Sequence, residues 1–304
     1  MGEPRPTRPD LAELKRAYAR GENITRLLRE SSGRAINEQE AILIAYDLQA
    51  GSYVANLEKP EARAHLAAYS AELAALLCEL NPRSLLEAGV GEATTLRATV
   101  AAMGRAVPPE IFGFDLSWSR IHVARRHWAE NDAPPAQFFV GELEAIPLPD
   151  DSVDVVFTSH AIEPNHGRER EILAELYRVS RRHLVLLEPG YELADTEARA
   201  RMDAHGYCRG LADIARENDW TLRTHRLFGT SSNPLNPTAL LHIEKPCADP
   251  APRAVEFVCP NCRAPLAHVD GHWFCGREGV VFPVLREIPC LLRAHAILAS
   301  HFTS

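Results

Sequence analysis

Apolar positions change rhythm near residue 81, and the change divides the chain. Before it, Leu11, Leu14 and Tyr18, then Ile24, Leu27 and Leu28, recur at helical spacing, with Gly21 and Gly33 as breaks. Residues 38–53 (EQEAILIAYDLQAGSY) predict an apolar-faced helix ended or bent at Gly51. Residues 61–80, rich in Ala and Leu, predict another, stopped by Asn81-Pro82. From Ser84 onward short β-branched and aromatic runs take over, at 84–87, 110–116, 137–143, 152–159 and 183–188. Helical stretches at 94–103, 117–131 and 168–180 separate them, and Ser117 or Ser119 is placed to cap the second. A longer helical stretch over 195–218, interrupted near Gly206, leads to two last strands at 221–228 and 239–244. Strands alternating with helices predict an α/β sheet, parallel at first, with an antiparallel edge.

Boundaries follow from the same pattern: an N-terminal helical region (1–80) as lid and substrate region, a sheet domain (81–246), and a small unit (253–296). The proline-rich stretch 246–252 (PCADPAP) reads as a linker. A chain of 304 residues has room for one large core and a small appendage. A hydrophobic share of 46% with 24% charged residues is that of a globular protein. The net charge of −8 argues against a protein that grips a phosphate backbone. No apolar run is long enough to span a bilayer, and the charged, proline-rich start (MGEPRPTRPD) is unlike a signal peptide. Cytoplasmic location is therefore expected. The expected partner is a small-molecule substrate, with no membrane, nucleic acid disfavoured, and a homodimer left open.

The turn after the first strand (SLLEAGVGEATT) carries the first chemistry. Gly89 and Gly91, one residue apart where strand gives way to helix, let the backbone approach a ligand where a Cβ would clash. A lone G-x-G also suits an ordinary βα turn, so the acids matter more. Glu87 closes the first strand, Asp115 the second, and Glu142 follows the third; Ser159 ends the fourth. Ligands of open α/β sheets bind at the carboxyl ends of the strands. An acid after the second strand can accept from a ribose diol, and Glu142 from an exocyclic amino group. Glu87 suits an ammonium and would repel a phosphate. The ligand expected is a nucleoside bearing an amino-acid tail, and a nicotinamide dinucleotide fits less well.

Those motifs, LLEAGVG, FGFDLS, GELEAIPLPDDSVDVV and FTSHAIEP, resemble the class I S-adenosylmethionine-dependent methyltransferases, in particular the small-molecule branch related to quinone biosynthesis. The resemblance covers roughly 76–245. It implies a Rossmann-like seven-stranded methyltransferase sheet and S-adenosyl-L-methionine as cofactor. Glu87, Gly89 and Gly91 would hold its methionine end. Asp115, with Leu116 beside it, would bind the ribose. Glu142 and the Leu143 backbone would bind adenine; Ser159, ending the fourth strand opposite the glycine turn, is a further cofactor-binding candidate. The family's usual aspartate and alanine are replaced here by Glu142 and Leu143, which implies a reshaped adenine slot.

Methyl transfer needs an aligned acceptor, a dry site and, for a hydroxyl or ammonium nucleophile, a proton acceptor. The segment SHAIEPNH after the fourth strand offers His160, Glu163 and His166, with His160 first. The alternative, that His160 packs structurally and Glu163 caps the next helix, stays open. Tyr46, Tyr53, Glu188, Tyr191 and Asn233 are candidate substrate residues, and Asn236 lies near Asn233. The expected reaction is methylation of a hydroxyl or amine on a small polar metabolite such as a sugar, amino acid or natural-product intermediate. An RNA methyltransferase with the tail as docking module is the second reading. It is disfavoured by the acidic balance and by five arginines against four acids in 251–304.

Four of the seven cysteines fall in the tail: Cys259, Cys262, Cys275 and Cys290. C-x-x-C followed by a third cysteine is three quarters of a zinc ribbon. The fourth ligand falls at Glu278, with His272 and Cys290 as alternatives, and a structural zinc is expected. FPVLREIPCLL is similar to the closing signature of the small zinc-ribbon proteins that activate tRNA and translation-factor methyltransferases. A metal-free ribbon held by Phe257, Leu266, Trp273, Phe282 and Leu291 is the alternative.

Overall fold

Leu85 and Leu86 are both fully buried yet belong to different cores, because successive side chains of a strand point to opposite faces. The computed structural model describes residues 10–130, 133–231, 233–246 and 255–303. The residues read as lacking a leader and most of the 246–252 linker lie outside these.

Seven strands form one sheet: β1 (Ser84–Ala88), β2 (Glu110–Asp115), β3 (Gln137–Val140), β4 (Val153–Ser159), β5 (Ser180–Pro189), β6 (Thr221–Leu227) and β7 (Thr238–Glu244). Their order is β3-β2-β1-β4-β5-β7-β6, parallel through β5, with β7 antiparallel between β5 and β6. The expected α/β sheet with an antiparallel edge is what forms. The third strand ends at Val140, earlier than its apolar run, because Gly141 and Glu142 turn away at the tip. The fifth begins at Ser180, earlier than its apolar run, because Arg181 is buried by pairing with an acid.

Leu85, Val155 and Val185 face one layer, made of α5 (Pro60–Leu80), α6 (Thr94–Met103) and α7 (Trp118–Ala129). Leu86, Val156 and Leu186 face the other, made of α8 (Glu169–Val179) and α10 (Leu211–Glu217). Covering both faces explains why β1 is buried along its whole length. Between α8 and α10, α9 (Thr196–His205) has a small apolar cluster of its own. Within the first eighty residues, α5 packs on the sheet. Helices α1 (Leu11–Ala19), α2 (Ile24–Ser32) and α3 (Gln39–Leu48) build a separate small core from Leu14, Ala17, Ile24 and Ala45. Gly51, with φ of +95°, separates α3 from the short α4 (Ser52–Asn56).

The tail forms a small four-stranded sheet from β8 (Ala267–Val269), β9 (His272–Cys275), β10 (Val280–Phe282) and β13 (Ile297–Leu298). A two-stranded arm, β11 (Val284–Leu285) and β12 (Ile288–Pro289), reaches from it. The arm lies along β3, and the Leu291 N–H donates to Val140 O at 2.9 Å, so the edge strand of the large sheet is covered. Phe257 packs edge-on against Phe139 on one side and Trp273 on the other, so the tail shares the core of the sheet domain.

Beneath the sheet, Asp154 accepts from Arg181 Nε at 2.7 Å and from the Arg83 N–H at 2.9 Å. Both ionic side chains are buried. Breaking a buried pair from one side leaves the other charge desolvated. Asp154→Ala is therefore expected to cost about 3–5 kcal/mol, read as a lower urea midpoint; an unchanged midpoint would refute the role given to this pair.

Candidate active site

The parallel register sets the acids side by side. Glu87 pairs with Gly113 on β2, and Asp115 with Val140 on β3, so the tips of β1, β2 and β3 step around one cavity. Glu87, Gly89, Gly91, Asp115, Leu116, Glu142, Leu143, Ser159 and His160 all line it, with Tyr46 and Tyr53 from the N-terminal helices.

Two positive φ angles, +75° at Gly89 and +56° at Gly91, shape the floor. A Cβ on Gly89 would lie 2.3 Å from that of Ala161, and one on Gly91 would lie 2.6 Å from Arg120 Nη2. Asp115 fixes the turn, accepting from the Gly91 N–H at 3.0 Å and the Ser117 N–H at 2.9 Å. Ser117 caps α7 through its hydroxyl oxygen, which accepts from the Arg120 N–H at 3.1 Å. Glu87 is 2% exposed and its Oε2 has no partner, so burial pushes its carboxyl well above the usual range.

Helices α3 and α4 are bolted to each of the three strand tips. Glu92, just past the glycine turn, accepts from the N–H groups of Gly51 at 2.9 Å and Val54 at 2.8 Å. Asp47 accepts from the Ser117 hydroxyl at 2.6 Å. Gln39 donates to Glu142 at 2.6 Å. Glu142 also accepts from Arg293 Nε at 2.7 Å, so a side chain of the tail reaches the cavity rim. Burial alone would raise the Glu142 pKa; its bonds to Arg293 and Gln39 outweigh that and hold it below the usual range.

His160 follows β4 in the left-handed region, φ +55°, with its N–H donating to Leu187 O at 2.8 Å. This turn aims the ring across the end of the cavity. Nδ1 lies 2.5 Å from Glu163, and Nε2 lies 2.8 Å from the Thr238 hydroxyl. Asn236 donates to Glu163 at 3.0 Å. Burial would lower the imidazole pKa, but the Glu163 hydrogen bond and charge outweigh it and raise the net value. Burial likewise opposes, without reversing, the lowering of Glu163 by His160. A second, more open cleft of about 650 Å³ meets the first at Tyr53, Ser159 and His160, with Leu66, Tyr69 and Thr238 among its walls.

Other candidate side chains point elsewhere. His166 is held between Glu169 at 2.8 Å and Arg209 at 3.1 Å, outside both clefts. Tyr191 donates its hydroxyl to Asp203 at 3.1 Å, and Asn233 accepts from the Leu235 N–H at 3.0 Å. Glu188 is buried behind the site, accepting from the N–H groups of Ala161, Ile162 and Glu163 at 3.0, 3.1 and 3.0 Å. Burial pushes its pKa up to about 7. Sequence reasoning missed Gln39, Glu92, Arg120 and Arg293. Of these, only Arg120 carried a local signal, sitting in the turn that Ser117 caps.

In the tail, Cys259, Cys262, Cys275 and Glu278 bring one ligand atom each within 4.8 Å of one another. Two matched turns do this. The Arg263 N–H donates to Cys259 O and the Gly279 N–H to Cys275 O, both at 2.8 Å. Glu278 thus occupies in C-x-x-E the place that Cys262 holds in C-x-x-C. His272 instead accepts from the Val284 N–H, and Cys290 contacts Ile288 O. Burial pushes the Cys259 thiol up to about 12. Three sulfurs and a carboxylate in this grouping are a donor set that suits a tetrahedral zinc ion.

Residues 85–183 match the family model described as a methyltransferase domain. Magnesium protoporphyrin IX methyltransferase from Synechocystis PCC 6803, solved with bound SAH, is similar in fold: TM-score 0.51, 12% identity, covering 69% of this chain and 100% of that one. A SAM-dependent methyltransferase from Aquifex aeolicus aligns at TM-score 0.47 and 17% identity, over 64% of this chain and 97% of that one. A chain from the Haloferax volcanii complex of the Trm112 methyltransferase activator with a methyltransferase aligns at TM-score 0.49 and 17% identity, over 66% of this chain and 97% of that one. The expectation of an α/β fold with a Rossmann-like seven-stranded sheet is met, and the matched methyltransferase-domain model covers its β1–β5 part. Among the described residues, no helix is long and apolar enough to cross a membrane.

The floor of the cavity can be tested through Gly89. Gly89→Ala combines a strained φ with a Cβ contact that something must yield to. It is expected to lower stability by about 1–3 kcal/mol. A thermal midpoint equal to that of the unaltered protein would show that the floor is softer than drawn.

Proposed function

We propose that the protein is an S-adenosylmethionine-dependent methyltransferase acting on a hydroxyl or amine of a small polar metabolite. The observation that carries this is the buried Glu87 carboxyl, its Oε2 without a partner, beside the glycine turn of a cavity that a His–Glu pair borders where two clefts meet. Glu87 would receive the ammonium of the cofactor's amino-acid tail, and Asp115 its ribose hydroxyls. The adenine would lie between Leu116 and Leu143, with its amino group on Glu142 in place of the Gln39 amide. Bound there, the cofactor supplies an electrophilic methyl group on a sulfonium.

The acceptor would enter by the open cleft, its carbon frame against Tyr53, Leu66 and Tyr69, its nucleophile beside His160. With Glu163 ionised, the His160 proton sits on Nδ1, and Nε2 is the basic atom. Nε2 would exchange its contact with the Thr238 hydroxyl for the acceptor's O–H or N–H and take that proton as the methyl bond forms. Glu163, held by Asn236, steadies the imidazolium so produced. Helices α3 and α4 exclude water from the cofactor side. An RNA acceptor is the poorer fit, because the lining of the open cleft carries Lys59 and Glu61, one charge of each sign, and no basic track. Zinc at Cys259, Cys262, Cys275 and Glu278 would be structural, tying the tail together.

A base that must be neutral makes turnover rise with pH through the His160 pKa, which lies above the ordinary 6.5. Glu163→Gln removes the charge that raises it, so the rising limb of the pH–rate profile should move to lower pH. A limb that stays put would exclude His160 as the base. His160→Ala should lower turnover by about 10²-fold or more while S-adenosylhomocysteine affinity, read by calorimetry, is kept. For the metal, elemental analysis should find zinc in the purified protein and little in Cys259→Ser; equal zinc in both would exclude this site.

A further inference from the structure

Nearly every charged side chain lining the inner cavity has a partner, and the two exceptions have opposite sign. Glu142 is held by Gln39 and Arg293, Glu144 by Arg168, Glu92 by backbone N–H groups of the lid, and Asp115 by those of Gly91 and Ser117. Left over are Glu87, whose Oε2 has no hydrogen-bond partner, and Arg120, which bonds to the Tyr53 hydroxyl but whose Nε has no partner. Arg120 is 6% exposed and forms no ion pair among the described residues. Its guanidinium lies over the rings of Tyr46 and Tyr53, at 5.2 and 4.6 Å from their centres. Aromatic faces attract a cation but leave its N–H donors in the ring plane unsatisfied. A buried donor without a partner is costly, so a guanidinium Nε left without one beside a cavity points to a ligand.

We infer that Arg120 is the seat of a carboxylate: that of the amino-acid tail of the nucleoside cofactor proposed above. The inference rests on that reading and adds a specificity residue to it. Three features single out the tail over the acceptor. Arg120 borders the inner cavity and not the open cleft. It lies against Gly91, whose missing side chain is what admits the guanidinium, since a Cβ there would meet Nη2 at 2.6 Å. Glu87, whose Oε2 has no partner, borders the same glycine turn, so an α-amino acid laid over the turn would give its ammonium to Glu87 and its carboxylate to Arg120. A planar guanidinium matches a carboxylate edge with two parallel N–H donors. Because Tyr46 and Tyr53 belong to the N-terminal helices, the carboxylate would also press that lid onto the sheet through the arginine.

Calorimetry with two probes, S-adenosylhomocysteine and its decarboxylated analogue, tests this. The second keeps nucleoside, thioether and ammonium and lacks only the carboxylate. The unaltered protein should bind the first about 10- to 100-fold tighter, the range for a buried charge-assisted bond. Arg120→Met, or Arg120→Gln should the methionine variant not fold, should bring the two affinities within a few-fold of each other, chiefly by weakening the first. Discrimination that survives in the variant, or that is missing from the unaltered protein, overturns the assignment while leaving the cofactor reading intact. If the unaltered protein binds neither probe, both fall.

Discussion

Parallel pairing of β1, β2 and β3 is the constraint from which the site follows. Parallel strands send all their carboxyl ends to one side, so Glu87, Asp115 and Glu142 converge without any loop having to carry them there. Convergence of acids is itself unfavourable, and the molecule resolves it residue by residue. Asp115 is neutralised by backbone N–H groups, Glu142 by an arginine, and Glu87 by holding its proton more tightly. The compensation is uneven: Asp115 and Glu142 are held by donors, whereas Glu87 keeps an Oε2 without a hydrogen-bond partner at the glycine turn.

Two layers of apolar contact make that register unavoidable. A slip of one residue in β1 would exchange Leu85 with Leu86 and turn Glu87 to the opposite face, into the packed layer of α8 and α10. Burial of the strands on both sides thus fixes where the acids end up. The tail contributes to the same end, since β12 runs beside β3 and keeps the outermost acid-bearing strand from being a free edge.

What could be read from the bare chain is what short-range periodicity controls. Short apolar runs in LLEAGVG and SVDVVFTS predicted strands, and the cap of α7, read as Ser117 or Ser119, is Ser117, whose partner lies three residues on. The strand-tip acids followed from the strands. Residues chosen for lying just beyond a strand fared less evenly. His160 faces the cavity because a left-handed backbone turns it there, whereas His166 and Tyr191 turn to Arg209 and Asp203, partners far off in sequence. Gln39, Glu92 and Arg293 act through single long-range hydrogen bonds, which leave no trace in spacing. Arg181 left no mark in the apolar pattern, because its burial depends on the ion pair with Asp154, 27 residues earlier.

Glu142 is where the two ends of the protein meet. Gln39 comes to it from the opening helices and Arg293 from the closing turn, and the rim of the cavity is drawn shut by both. The chain is in effect buttoned into a ring by one carboxylate. Trimming from either terminus would therefore loosen the same corner, the rim of the inner cavity at Glu142. Any attempt to dissect the sheet domain from its neighbours has to begin by deciding what will hold that acid instead.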